Sequence, residues 1–190
     1  MMSRHEIILG GFGGQGIKVI ASLLGQAVHA AGGQAMMYNI YAAAIRGGPI
    51  FCTVVAGGGP AGGGPTTTRP TAVLAMDPNT VDVYGPAIRP GGVLVVNSSL
   101  DSRCPERSDL TVVLVPTNQI AEELGDIKYT GMVGLGALIE ATGVVTFDAV
   151  SRCLRQILPA YRHHTIPANE QALRRGAACV GLAAPAPAAG

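Results

Sequence analysis

Short apolar runs bounded by glycine, proline and asparagine alternate along this chain with longer stretches whose apolar positions recur every three or four residues. Ile7 to Gly10 is a brief apolar run ended by glycines, and it predicts a buried strand. Beyond it Ile17, Ile20, Ala21, Leu24, Ala27, Val28 and Ala31 fall on one face of a helix over 16–31, which Gly32-Gly33 stops. Residues 34–40 predict a second strand, and the β-branched run Ile50 to Ala56 a third. Strand, helix and strand in so short a length make a βαβ unit, for which a right-handed crossover is expected.

The segment 57–70, GGGPAGGGPTTTRP, is too rich in glycine and proline for helix or strand and reads as a flexible loop. Further strands are predicted at 71–76, 93–97 and 110–115. Helices are predicted from Asp77 towards Ile88, from Thr117 through Glu123, over 132–142, over 146–158 with Thr146 as N-cap, and over about 168–178. Gly134 and Gly136 imply close packing on another backbone, that of another subunit included. The alternation predicts an α/β fold: a three-layer, open, mostly parallel Rossmann-like sheet with helices on both faces. Residues 1–182 form one domain in this reading, and 183–190 a disordered tail.

Composition narrows the function. Hydrophobic residues are 48% of the 190, enough for a core, while charged residues are only 13% against the roughly 25% of ordinary domains. So bare a surface suggests a partner that covers it. A net charge of +1 and 4% aromatics give no general pull towards nucleic acid and little material for base stacking. No apolar run reaches the length of a membrane span, and residues 1–6 lack a signal-peptide layout, so the cytoplasm is the expected location. Cys52, Cys104, Cys153 and Cys179 are scattered, and His5, His29, His163 and His164 have no ligand spacing, so neither a redox centre nor a metal site is expected. No catalytic triad can be assembled.

Three places carry candidate chemistry. Gly11, Phe12, Gly13, Gly14, Gln15 and Gly16 satisfy GxGxxG between a strand and a helix, where bare backbone and the helix N-terminus welcome an anion. A tight turn without a ligand is the alternative. A dinucleotide site would want an acid near residue 40, and the sequence there is Tyr38-Asn39-Ile40-Tyr41. Between Glu6 and Asp77 the only full charges are Lys18, Arg46 and Arg69. Arg46, followed by Gly47 and Gly48, can offer its fork to a phosphate or be an ordinary surface arginine. Asn97, Ser98 and Ser99 end a strand where open α/β sheets bind ligands, or they cap the next helix.

The order of these segments resembles the gamma subunit of thiamine-diphosphate-dependent 2-oxoacid:ferredoxin oxidoreductases. The resemblance rests on residues 10–27 (GGFGGQGIKVIASLLGQA), Arg46-Gly47-Gly48 before 51–54, the strands 71–76 and 91–99, the stretch 132–138, and Ile166-Pro-Ala-Asn-Glu170. Where the family has a Gly-Pro-Glu-Met-like stretch this chain has Ala42-Ala43-Ala44-Ile45, which lacks the carboxylate and suggests a branch acting on aryl 2-oxoacids. The resemblance implies a chain not catalytic alone, assembled with alpha, beta and ferredoxin-like delta subunits. Thiamine diphosphate, Mg and [4Fe–4S] clusters belong to those partners. Coenzyme A is the ligand it offers for the glycine loop, Arg46 and the 97–98 edge. A stand-alone nucleotide-binding protein or dehydrogenase is the rival reading.

Overall fold

The computed structural model describes residues 3–41, 48–57, 64–100, 102, 103, 105 and 107–182. Arg46, Gly47, the divergent stretch 42–45, most of the glycine/proline segment, Cys104 and the tail 183–190 lie outside them. The elements are β1 (His5–Phe12), α1 (Ile17–Ala30), β2 (Gln34–Tyr41), β3 (Pro49–Gly57), β4 (Ala72–Ala75), α2 (Pro78–Tyr84), β5 (Val93–Asn97), β6 (Thr111–Val115), α3 (Thr117–Glu123), α4 (Thr130–Thr142), α5 (Phe147–Ile157) and α6 (Ile166–Ala178). Short 3₁₀ segments at Ile127–Tyr129 and Ala160–Thr165 lead into α4 and α6.

The six strands form one sheet in the order β2-β3-β1-β4-β5-β6. β1, β4, β5 and β6 pair in parallel, while β3 runs antiparallel to both β1 and β2. The βαβ unit is therefore present, since β1 and β2 point the same way, but its two strands are not neighbours. A β2–β3 hairpin folds back and wedges β3 between them.

Strand alternation sends side chains to two faces. Ile7, Leu9, Cys52, Val54, Leu74 and Val95 pack with residues of α1, α4, α5 and α6 in the larger core, and Ile8, Val73, Ala75, Leu94 and Val96 with Val81 of α2 and Ile88 in the smaller. Helices cover both faces unequally. Burial of the Cys52 thiol pushes its pKa up to about 11, so it is a neutral core group and no nucleophile. Among the described residues no helix is long and apolar enough to cross a membrane.

The close approach to a backbone holds for Gly136, and it is internal, on α6 of the same chain, whereas Gly134 packs on the side chains of Leu74 and Met76. A Cβ on Gly136 would stand 1.9 Å from the Leu173 carbonyl oxygen, and one on Gly176 would stand 1.8 Å from the Val133 carbonyl oxygen. The two helices thus meet backbone to backbone. Glu6, 7% exposed, ties down the described end of the segment after β3. Its carboxylate accepts from Arg4 Nε at 2.9 Å, Arg89 Nη2 at 2.7 Å and Thr67 Oγ1 at 2.6 Å. Burial pushes the Glu6 pKa up, and these donors more than offset it, holding the carboxyl below its ordinary value.

Candidate functional site

β1 stays extended through Phe12, and the chain then turns into α1 over Gly13–Gly16. Gly14 and Gly16 have φ of 103° and 77°, the left-handed region that a side chain rarely adopts. Gln15 locks this turn. Its Oε1 accepts from the Phe12 N–H at 2.8 Å and its Nε2 donates to the Met76 carbonyl at 3.1 Å. The Gly13 N–H donates to the Gly48 carbonyl at 3.3 Å, which draws the start of β3 to the same rim. The loop is therefore less bare than its glycines suggest, because the N–H groups of Phe12, Gly13 and Gln15 are already committed. What stays open is the end of α1, where Gly16 provides no side-chain cap and the first turn carries no acid.

A cavity of about 520 Å³ opens there. Gly14, Gln15 and Gly16 form one wall, with Val19 and Ile20 of α1 beside them. The facing wall comes from far along the chain: Lys128 and Tyr129 before α4, Tyr161, Arg162 and His164 before α6, and Asn169 within α6. Gly131 at the start of α4 presses on the loop, since a Cβ there would stand 2.6 Å from the Gln15 carbonyl oxygen. Lys128 Nζ lies 3.2 Å from Asp126 Oδ2. The Lys128 backbone N–H, then its ammonium, hold the Asp126 carboxyl below its ordinary value, with the Arg162 charge adding to this. Asn169 is 7% exposed, and its Nδ2 donates to the Thr165 carbonyl at 2.8 Å and to Thr165 Oγ1 at 3.1 Å. A helix N-terminus, a lysine, an arginine and a histidine, against the single carboxylate of Asp126 that pairs with Lys128, leave a net positive lining that suits a small anionic ligand, and the volume lies in the usual range for such sites.

The other predicted residues sit elsewhere. Asn97 is 2% exposed, and its Nδ2 reaches Asn118 Oδ1 at 3.1 Å and the Met76 carbonyl at 3.4 Å. Ser99 Oγ accepts from the Asn118 N–H at 3.1 Å at the start of α3, and the Ser98 N–H donates to the Val115 carbonyl at 2.9 Å. This edge is occupied with joining β5 to α3, and neither Asn97 nor Ser98 lines the cavity. Asp77 caps α2 through Oδ1, 2.7 Å from the Thr80 N–H, while its buried Oδ2 has no partner. Among the described residues no three histidine, cysteine or carboxylate side chains converge as metal ligands.

Sequence reasoning missed Lys128, Tyr161, Arg162, His164 and Asn169. The Ile166–Glu170 stretch, already distinctive, was the one available signal for Asn169. The topology also disfavours a dinucleotide site. Such a site needs a ribose-binding acid on the strand beside β1, and here β3 occupies that place while β2, one strand further out, ends without an acid.

Comparison with known proteins agrees with this architecture. The family model described as pyruvate ferredoxin/flavodoxin oxidoreductase matches residues 6–179. A 2-oxoglutarate synthase subunit KorC of Methanocaldococcus jannaschii is 32% identical over 162 residues, covering 82% of this chain and 84% of that protein. The common gamma subunit of the pyruvate/ketoisovalerate oxidoreductases of Thermococcus litoralis is 26% identical over 157 residues, covering 79% and 84%. The crystal structure of a keto/oxoacid ferredoxin oxidoreductase gamma subunit from Geobacter sulfurreducens superposes with a TM-score of 0.82 at 27% identity, covering 95% of this chain and 98% of that one. With its reversed third strand, glycine turn and covered sheet, this chain belongs to the pyruvate ferredoxin/flavodoxin oxidoreductase family, as a gamma-type member.

Proposed function

We propose that this chain is the gamma component of a multi-subunit 2-oxoacid:acceptor oxidoreductase and that its own share is to hold the phosphate-bearing part of coenzyme A. In this reading, alpha, beta and ferredoxin-like delta chains bring thiamine diphosphate, Mg and the [4Fe–4S] clusters, and so perform the decarboxylation and electron transfer. The cavity at the start of α1 carries the proposal. Its uncapped N–H groups and positive dipole end face Lys128 and Arg162 across a space sized for part of a cofactor. Gly14 to Gly16 form that wall at the end of the Gly11–Gly16 turn, and Arg46 and Gly47, outside the described residues, are further candidates for phosphate contact. The 97–98 edge would act from behind, through the Met76 carbonyl that Asn97 and Gln15 share.

Assembly is the other half of the role. β2 is an edge strand without a charged residue, and Met37, Tyr38 and Ile40 on it are 43%, 47% and 41% exposed. Free edge strands are normally protected by charges or proline, so a neighbouring subunit is the expected cover. The proposal places the complex in the cytoplasm, where the unpaired Cys52, Cys153 and Cys179 stay reduced. The test is Lys128→Gln in the assembled complex. Losing one charge-assisted phosphate contact should raise the KM for coenzyme A about tenfold while 2-oxoacid decarboxylation without coenzyme A keeps its rate. Equal loss of both activities would leave the chain a purely structural role.

A further inference from the structure

The cavity at α1 has a neighbour across its far wall. His164 borders it and also borders a second depression of about 460 Å³ that runs between α5 and α6. Ile166 and Pro167 form part of this groove, and Arg152, Arg155 and His163 line it. Arg152 and Arg155 are three residues apart, hence neighbours on the α5 surface. The one acidic side chain in the groove, Glu170, accepts a hydrogen bond from Ser151 Oγ. Among the described residues neither arginine has a carboxylate partner. Two unpaired guanidinium groups side by side stand out in a chain with only 13% charged residues.

Coenzyme A carries anionic groups in two places, a diphosphate and, one ribose away, a 3′-phosphate that is close to dianionic at neutral pH. A site for it needs two cationic regions, separate but contiguous. The α1 cavity offers one and the α5–α6 groove the other, with His164 on the shared border. The planar fork of arginine matches a terminal phosphate through paired N–H donors. We infer that Arg152 and Arg155 form a subsite for the 3′-phosphate of coenzyme A, so that this chain distinguishes the cofactor from its form lacking that phosphate. The inference rests on the α1 cavity being the coenzyme A site.

The experiment uses the assembled complex carrying Arg152→Gln and Arg155→Gln together, with KM measured for coenzyme A and for dephospho-coenzyme A. Removing contacts to the 3′-phosphate alone should raise the KM for coenzyme A about tenfold and leave that for dephospho-coenzyme A within about twofold, which abolishes the preference between them. Both substrates unchanged, or both weakened alike, would overturn the subsite. So would loss of partner chains on purification of the variant, which would give the groove to an acidic surface of another subunit. Lys128→Gln separates the two levels of failure. If it weakens both acceptors while the arginine pair affects neither, the α1 cavity stands and the groove does not. If it too affects neither, the underlying site is wrong.

Discussion

Gly136 and Gly25 are both helix-interior glycines, and replacing each with alanine should have opposite effects. In either helix the substitution removes backbone freedom from the unfolded chain and gains about 1 kcal/mol of helix propensity. At Gly25 of α1 nothing opposes this, because the new methyl would meet only the Ala35 Cβ at 3.9 Å, an ordinary contact. At Gly136 of α4 the methyl would stand 1.9 Å from the Leu173 carbonyl oxygen and 2.7 Å from its carbon, where ordinary contact begins at 3.4 Å. The helices must part by about 1.5 Å, and a carbonyl inside a helix cannot rotate away as a side chain can. The same seam holds the reciprocal contact of Gly176 on Val133, so opening it loosens the interior between α4 and α6 along its length. Overpacking of this kind costs about 1–3 kcal/mol and more where backbone is the obstacle, so Gly136→Ala should lose roughly 2 kcal/mol net. Gly25→Ala should gain about 1 kcal/mol. Urea unfolding of the purified chains, followed by far-UV circular dichroism and extrapolated linearly, measures both. A Gly136→Ala chain as stable as the parent would refute the backbone-to-backbone seam, and a destabilised Gly25→Ala chain would refute the propensity reasoning.

Glu6→Gln should cost about 1 kcal/mol at neutral pH, a figure kept small because Arg4 and Arg89 are each about two-fifths exposed. Since the folded-state pKa of Glu6 is depressed, its contribution is present above the ordinary value of 4.5 and fades as pH falls through the lower folded value. The difference in melting temperature between parent and variant should therefore shrink below pH 4.5, and a constant difference would contradict the ion-pair account. Ile40→Lys places a charge on the open edge of β2 without touching either core, and it should leave the chain folded yet reduce the partner subunits recovered with it on affinity purification. Undiminished recovery would remove that edge from the assembly surface.

Much of the fold was legible because each strand is a short apolar run closed by glycine or a polar turn. The reversal of β3 was not, since Ile50 to Ala56 shows the same β-branched run whether its neighbours run with it or against it. Gly136 correctly announced a close approach of backbones and Gly134 did not, since it faces the Leu74 and Met76 side chains, while Gly176, the other half of the seam, passed unremarked inside an ordinary amphipathic pattern. The Pro159–Thr165 stretch gave no periodicity, because a 3₁₀ segment of six residues is too short to show one. That stretch brings Tyr161, Arg162 and His164 to the cavity, so the half of the site built on α1 could be read and the half built on α4 and α6 could not. A loop motif reports its own conformation, whereas the cations facing it are joined to it only by the packing of distant helices.

The backward run of β3 reaches beyond topology. Had the third strand matched its neighbours, the connection from Tyr41 would have had to cross to the amino end of the sheet, away from the glycine turn. Because it returns at once, Gly48 and Pro49 stand beside Gly13 and Phe12. A sheet of this kind can change the length or chemistry of that connection, whose sequence here carries alanines at 42–44, while every core residue keeps its neighbours.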